Sequence, residues 1–408
     1  MEKFKITKLD QIFILFSGIF LPLINLRIDL LGFTLSFYMI SIIIGYFFIL
    51  IKKPPLKILY IEKNEILIFL FLFTYFVSIF YSENLTIGIL RFIKLVFVIL
   101  FYFFTVTIIV EKKFYLPNII KWIKMSLFIF MIYLGYIYFF VFNRTFIGLN
   151  SKIATGTGKN SLAFMVAILI PFFLNSFFED KKNIKFSLKY MELFASLIIV
   201  LLAISIQSRG LFLVILFYFF ILLLTEIKNK KFYFKIFLSI ILIFLVVFLF
   251  LSEELKSDLF FRFSVIFRLF EQNVYLEDLS NIRYDLIKRS IELFSASPLI
   301  GVGAGNFMYF GQGSFYISHN DYLLVLSEQG IIGLIIFLLV LFSFIKSAFF
   351  NLKKEKNYIN KSLLMSVLGL SLYLFFINAY DNILVWTLFA FIKGTKINIH
   401  KNQKGDFQ

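Results

Sequence analysis

Long, continuous runs of apolar residues separated by short polar segments dominate the pattern along the chain. A helix that crosses a bilayer needs about 20 mostly apolar residues. The runs do not alternate between apolar and polar residues, so membrane β-strands are not expected. We therefore predict an all-α polytopic membrane protein, a single integral membrane domain over 1–408, with about 12 transmembrane helices. The predicted spans are 11–26, 30–51, 66–81, 89–110, 122–142, 161–178, 190–206, 211–225, 236–251, 322–345, 362–377 and 381–393.

The composition supports this class and excludes several others. Hydrophobic residues make up 61% of the chain and charged residues 16%, with a mean hydropathy of +0.92. Soluble domains are about half apolar and about a quarter charged, so a soluble globule and a disordered chain are both excluded. The absence of cysteine excludes disulfides, thiolate metal sites and a cysteine nucleophile. The first span lacks a following small-residue cleavage site, so we do not expect a removable signal peptide.

The net charge of +17 indicates topology rather than nucleic-acid binding. With the N-terminus in the cytoplasm, most lysines fall on the cytoplasmic side, as the positive-inside rule requires, and both termini are cytoplasmic. Seven of the eight arginines instead fall within outer segments. Because guanidinium binds phosphate with a planar fork, this distribution suggests an anionic ligand at the outer face. Arginines that only bridge loops to helix ends are the alternative.

One predicted outer loop, 252–321, is much longer than the others. Two amphipathic stretches in it, 259–272 and 282–295, predict helices at the membrane surface. In the second, Arg289 has acidic residues at helix spacing on both sides, whereas Arg283 has none. Arg283 is therefore the better candidate to hold a substrate anion. Arg262 and Arg268 in the same loop are further candidates for substrate binding.

A glycine-rich run from Pro298 to Phe307 follows in this loop. Its glycines, Gly301, Gly303 and Gly305, predict a tight turn and a close approach of backbone. Exposed amides in such a turn are also able to cradle an anion. A dinucleotide-binding fingerprint is not supported, because no strand–turn–helix unit surrounds the run.

Three further positions carry candidate chemistry. His319, next to Asn320, lies at the outer membrane boundary, where an imidazole provides acid–base chemistry near neutral pH. Arg209 joins two apolar runs with almost no loop, so it needs a partner, water or a ligand; a brace between helices is the alternative. Arg91 lies near the outer end of a span, either as part of a basic cavity wall or reaching toward headgroups. The acidic residues do not combine with a histidine at a spacing that would bind a metal, so we expect neither a metal nor a cofactor.

These motifs together resemble the O-antigen ligase family of bacterial envelope glycosyltransferases, which overlaps in sequence with the O-antigen polymerases. The resemblance covers about 198–341. It rests on Ser208-Arg209-Gly210 with Leu213, on Arg283, on the Pro298–Phe307 run, and on His319-Asn320 followed by Gly330-Ile-Ile-Gly333.

The resemblance implies a twelve-helix fold akin to the C-type membrane glycosyltransferases. It implies a glycan donor on undecaprenyl diphosphate at the outer face of the bacterial cytoplasmic membrane, and neither nucleotide sugar nor metal. The ligase branch uses lipid A core as acceptor, and the polymerase branch uses another lipid-linked repeat. Arg209, Arg283 and His319 match the essential basic residues of the family. We favour the ligase, because none of the eight arginines is followed by glycine eleven positions later, a pattern described for many polymerases.

Two hypotheses that place the protein in other functional classes remain as alternatives. A transporter of an anionic lipid or solute also suits twelve spans, but internal repeats and charges in matching halves are expected of it, and the sequence shows neither. A non-catalytic assembly scaffold leaves the outward arginines without a role.

Overall fold

The computed structural model describes residues 27–30, 33–36, 39–44, 61–111, 115–136, 159–178, 208–225, 281–309 and 318–405. The predicted spans 11–26, 190–206 and 236–251 and the predicted helix 259–272 lie outside these residues. The described part is helical apart from one short hairpin. Its strands are β1 Arg27–Leu30 and β2 Phe33–Ser36, and its helices are α1 Lys63–Ile79, α2 Leu85–Glu111, α3 Tyr115–Tyr136, α4 Lys159–Phe178, α5 Arg209–Thr225, α6 Asn281–Ala296, α7 Asn306–Tyr309, α8 Asp321–Lys354, α9 Tyr358–Tyr373 and α10 Ile383–Gly405.

The hairpin lies where the sequence predicts the start of the span 30–51, whereas the rest of the described part is helical, as predicted. β1 and β2 pair antiparallel, with Arg27 opposite Ser36 and Leu30 opposite Phe33, and helix is described only over 39–44. Polar and apolar residues alternate along both strands, and Gly32 lies between them. That period of two with a glycine in the connection is typical of a hairpin. The high apolar content of the whole run 30–51 favours a membrane helix and masks this short alternation.

Two of the described helices, α2 and α8, are long and apolar enough to cross a membrane. α4 and α5 contain shorter apolar stretches. Along α1, Ile66, Phe69, Phe73 and Phe76 are exposed at intervals of three or four residues, which places them on one face of the helix. A continuous exposed face of large apolar side chains suits contact with lipid or with another helix better than contact with water.

α8 is broken at Gly330, whose backbone has φ 66 and ψ −167. A break releases amide and carbonyl groups from the helix ladder, and in an apolar setting each needs a new partner. The turn at 298–303 provides these partners through four backbone hydrogen bonds. They run from Ile331 N–H to Pro298 O at 2.9 Å, from Ile332 N–H to Leu299 O at 3.4 Å, from Val302 N–H to Ser327 O at 2.9 Å and from Gly303 N–H to Glu328 O at 3.0 Å.

Two glycines allow the turn and the broken helix to approach this closely. A Cβ on Gly330 would lie 2.3 Å from the Leu299 carbonyl oxygen, and a Cβ on Gly301 would lie 2.4 Å from the Gln329 nitrogen. Gly301 also has a positive φ of 73. The tight turn and the close backbone approach predicted for the glycine-rich run are therefore confirmed, and the contact is with α8.

α5 is tied to two neighbouring helices through one tyrosine. Pro171 lies inside α4 and has no N–H to donate to the carbonyl of Ala167 four residues earlier. The Tyr218 hydroxyl of α5 donates to that carbonyl at 2.8 Å. Gly369 of α9 faces the same hydroxyl, since a Cβ there would lie 1.8 Å from it. This contact fixes the helix that begins at Arg209.

α10 extends well beyond the predicted end of its span at residue 393. Lys393, which the charge distribution assigns to the cytoplasmic side at the end of the predicted span, is fully buried. Its Nζ lies 2.8 Å from the Glu65 carboxylate. The Tyr102 hydroxyl donates to the same carboxylate. A buried lysine with a buried carboxylate partner does not need to leave the helix bundle, so the charge at 393 does not end the helix.

The contacts at the two ends of α1 sort the neighbouring segments. At its first residues, Asn64 donates to Ser347 at 3.1 Å, and Glu62, just before the helix, accepts from Lys396 at 3.0 Å. Near its last residues, the Ala304 N–H donates to the Ser78 carbonyl at 3.3 Å. The two sets are about 25 Å apart along the 17-residue helix. The segments around Ser347 and Lys396, which the lysine distribution assigns to the inner side, therefore lie at the first residues of α1. The glycine-rich turn lies at its last residues.

We predict that Gly330→Ala destabilises the protein by about 1–3 kcal/mol or more, because a Cβ meets the Leu299 carbonyl and the backbone has a positive φ. Gly88→Ala is the control, since Gly88 lies within α2 and its added Cβ would approach the Ala304 oxygen only to 3.0 Å. Unfolding in detergent measures both. An equal or smaller loss for Gly330→Ala contradicts the role given to the turn.

Candidate functional site

His319 lies just before α8, in a network of polar groups that a second segment completes. Its backbone N–H donates to Asn378 Oδ1 at 2.7 Å. Asn378 belongs to the connection between α9 and α10, residues 374–382, called here the 374–382 connection. The fully buried Asp321 accepts from the Ala379 N–H at 2.9 Å, and its own N–H donates to the Leu374 carbonyl at 2.9 Å. The start of α8 is thus held against this connection.

Asn320 caps the start of α8. Its side-chain oxygen accepts from the Leu323 N–H at 3.1 Å, which satisfies one of the unpaired amides at a helix start. The Ser318 hydroxyl donates to the Asn320 carbonyl at 2.7 Å. These local bonds define the backbone on both sides of His319.

Arg209 is the first residue of α5 and lies next to the beginning of the same connection. Before it, the Ser208 hydroxyl lies 3.1 Å from the Tyr373 hydroxyl. After it, Gly210 is so close to Phe376 that an added Cβ would lie 2.9 Å from its ring. Arg209 and His319, 110 positions apart in sequence, therefore each lie near part of residues 373–378, Arg209 through its neighbours Ser208 and Gly210 and His319 through Asn378.

The glycine-rich turn lies beside a buried carboxylate of the chain itself, Glu328. The backbone amides of Gly305 and Phe307 face the Glu328 carboxylate and favour its charged form. Arg91 donates from one guanidinium nitrogen to both oxygens of that carboxylate, at 2.9 and 3.2 Å. Glu328 is buried and Arg91 is only 15% exposed, so the ion pair is largely withdrawn from water.

The same turn is tied to two other elements. Gly303 has a φ of 101 and lies against Ser82, where a Cβ would approach the Ser82 nitrogen to 2.6 Å. Asn306, at the start of α7, accepts from the Ser82 hydroxyl at 3.1 Å and from the Glu83 N–H at 3.1 Å. The turn is therefore fixed between the end of α1 and the break in α8.

Arg289 of α6 also contacts the turn. Its guanidinium donates to the Phe307 carbonyl and lies over the Phe307 ring, 4.8 Å from the centroid. Partial burial lowers the pKa of Arg289 from its ordinary value, and the nearby Glu292 opposes that change. The predicted helix 282–295 is confirmed as α6, and Arg289 attaches it to the site.

The remaining predicted site residues are only partly covered. Arg262 and Arg268 lie outside the described residues. For Arg283 the structure describes the backbone, at the third position of α6, but not the side chain. Within the described ranges, no group of three or more histidine, cysteine, aspartate or glutamate side chains is arranged to hold a metal ion.

Three acidic or amide side chains of the site were not identified from the sequence as functional candidates. They are Asn378, Asp381 and Glu328. Asp381 accepts from Lys94 at 2.8 Å, so it joins α2 to the 374–382 connection. The signal that was available is the presence of Asn378 and Asp381 between two apolar runs with hardly any loop, since polar groups at such positions need partners.

Residues 194–338 match the family model described as O-Antigen ligase. No curated protein matches the chain. The matched segment carries Arg209, α6, the glycine-rich turn and His319. Elements that contact these residues, namely α1, α2 and the 374–382 connection, lie outside it.

We predict that Arg91→Met costs about 3–5 kcal/mol of stability, because it leaves a buried carboxylate without its cation. The double variant Arg91→Met with Glu328→Gln is expected to lose less than the sum of the two single losses, since neither charge is then left alone. Unfolding in detergent measures all three variants.

Lys94→Met is the matched control, because Lys94 is 60% exposed in its pair with Asp381 and such a pair contributes below about 1 kcal/mol. Equal losses for Arg91→Met and Lys94→Met contradict the structural role of the Arg91–Glu328 pair.

Proposed function

We propose that this chain, of which residues 194–338 match the O-antigen ligase family model, is a membrane glycosyltransferase. It moves a glycan from undecaprenyl diphosphate onto an acceptor sugar, for which we propose lipid A core, at the outer face of the cytoplasmic membrane. The observation that supports this proposal is that the start of the helix at Arg209 and the backbone of His319 both contact residues within 373–378. A strong cation and an imidazole at one site are the groups that such a transfer requires.

The reaction forms a bond between the acceptor oxygen and the anomeric carbon of the glycan. The bond from that carbon to the phosphate oxygen breaks, and its electron pair leaves with the lipid diphosphate. His319 accepts the proton of the acceptor hydroxyl, a contribution of about 10²–10⁴ in rate. Arg209 and Arg283 stabilise the negative charge that develops on the diphosphate, and such electrostatic stabilisation is usually the largest contribution. The proposal invokes neither a metal nor a cofactor.

We also assign donor or acceptor binding to Arg262, Arg268, Arg289, Asn320, Gly303, Gly305 and Arg91. For Arg91 and Arg289 the contacts favour an indirect contribution, because each is bonded to the glycine-rich turn or to the carboxylate that the turn holds. They keep the turn in place beside the site. The bound partners are then a lipid-linked glycan, a glycan acceptor and the bilayer, and no nucleic acid.

We place the protein in the cytoplasmic membrane as a multi-pass protein with both termini inside. Two described helices suited to crossing a membrane support this location. The contacts at the two ends of α1 support the sidedness, because lysine-bearing segments share one end and the glycine-rich turn lies at the other.

We expect His319→Ala and Arg209→Ala to leave the protein folded and inserted and to lower glycan transfer by about 10²–10⁴ and about 10²–10³ respectively. Arg209→Lys is expected to recover only part of the loss, because an ammonium lacks the planar fork of guanidinium. The measurement is transfer by the purified full chain with a lipid-linked glycan and two competing acceptors, lipid A core and a second lipid-linked repeat.

His400→Ala is the matched control, since His400 stacks on Phe350 in the last part of α10, far along the helix from the site. Wild-type rates of glycan transfer in both His319→Ala and Arg209→Ala contradict the proposed enzyme function. A product formed only on the second lipid-linked repeat replaces the ligase with a polymerase.

Since the chain contains no cysteine, a single introduced cysteine reports on sidedness directly. We expect Gln312→Cys to react with a membrane-impermeant reagent added outside intact cells, because 252–321 is the proposed outer loop. Gln403→Cys, the inner control, is expected to react only after the membrane is opened. Reversed labelling of the two positions contradicts the proposed orientation.

A further inference from the structure

His319 has an unusual backbone. Among the described residues it is the one residue other than glycine with a positive φ, 51 degrees. That conformation is unfavourable for a residue with a Cβ and persists only where surrounding contacts determine it. The φ angle also sets the direction of the Cα–Cβ bond, so whatever holds this backbone also aims the imidazole.

The side chain of Asn378 makes the contacts that hold it. Its oxygen accepts from the His319 N–H at 2.7 Å. Its nitrogen donates to the Ser318 hydroxyl at 3.1 Å and to Asp321 Oδ1 at 3.3 Å. One acceptor and two donors are used in this way, a combination that an amide provides and a carboxylate does not.

Asn378 is itself fixed on the other side. Its neighbour Ala379 donates to Asp321 at 2.9 Å, and the Asp321 N–H donates to the Leu374 carbonyl at 2.9 Å. Asp321 is fully buried, so these bonds are shielded from competition with water. The backbone at 318–321 and the 374–382 connection therefore form one rigid unit with the Asn378 amide at its centre.

We propose that Asn378, a residue outside the family-matched segment, is the positioning residue for His319 in glycan transfer. This inference rests on the proposed function. The Asn378 amide holds His319 in its left-handed conformation, so that the imidazole meets the acceptor hydroxyl as that oxygen attacks the anomeric carbon. Reaction rates are sensitive to such placement, since a displacement of about 1 Å costs about 10²-fold.

The test is Asn378→Ala in the purified full chain, with the same donor and acceptors. We expect kcat to fall by about 10–100-fold while KM for the lipid-linked donor changes less than about 3-fold, because the misplacement affects the chemical step rather than donor binding. Asn382→Ala is the matched control. Asn382 lies in the same connection and its side chain accepts from the Leu384 N–H at 2.9 Å, so its loss is expected to leave kcat unchanged.

A second comparison separates positioning from a general structural role. The double variant His319→Ala with Asn378→Ala is expected to be no slower than His319→Ala alone, because Asn378 acts through the imidazole. If Asn378→Ala does not fold, Asn378→Asp takes its place. This substitution keeps the size and the acceptor but removes the donors to Ser318 and Asp321, and a loss in kcat is again expected.

Unchanged kcat in the folded Asn378 variant, or losses that multiply in the double variant, overturn the inference. A wild-type rate for His319→Ala overturns the proposed function instead, so the two failures are distinguishable.

Discussion

A helix that breaks in an apolar environment must find new partners for the backbone groups that the break releases. The break of α8 at Gly330 meets this requirement through the turn at 298–303, which donates to two carbonyls and accepts from two amides. These hydrogen bonds hold residues 298–303 of the predicted outer loop against α8. The Gly303 amide of the turn donates to the Glu328 carbonyl, and the Asn306 side chain accepts from Ser82, just after α1. The positions of α6 and Arg91 follow from the same contact.

The hydrogen bonds that satisfy the broken helix also fix the part of α8 that precedes Gly330. The part of α8 before Gly330 is short, and its two ends are held by different segments. His319 and Asp321 are bonded to the 374–382 connection, and Glu328 is bonded to Arg91 and the glycine-rich turn. From Asp321 to Glu328 the helix rises only about 10 Å. The cap at Asn320 and the break at Gly330 thus separate a short stiff unit from the rest of α8.

The sequence predicted what depends on local pattern and not what depends on distant partners. Eight of the twelve predicted apolar spans and the amphipathic stretch at 282–295 overlap helices among α1–α10, and the glycine spacing predicted a tight turn. The resemblance to the O-antigen ligase family is confirmed by the match of residues 194–338. The Arg91–Glu328 and Lys393–Glu65 pairs were not predicted, because their members are 237 and 328 positions apart. The charge of Lys393 instead suggested the end of a span. The hairpin at Arg27–Ser36 was overlooked because its alternation is short and follows directly on an apolar run.

The arginines of the chain divide by their contacts into two kinds of role. Arg91 neutralises a buried carboxylate, and Arg289 is bonded to a carbonyl and an aromatic ring of the turn. Both therefore help to fix the glycine-rich turn and the first part of α8. Arg209 begins a helix whose position is set by Tyr218 and by Phe376, and this helix start lies beside the connection that also holds His319. If the two roles are separate, loss of Arg91 or Arg289 lowers stability together with activity, whereas loss of Arg209 lowers activity in a protein that stays folded. The family match covers Arg209 but not Arg91, so part of the contacts around the proposed site comes from residues outside the matched segment.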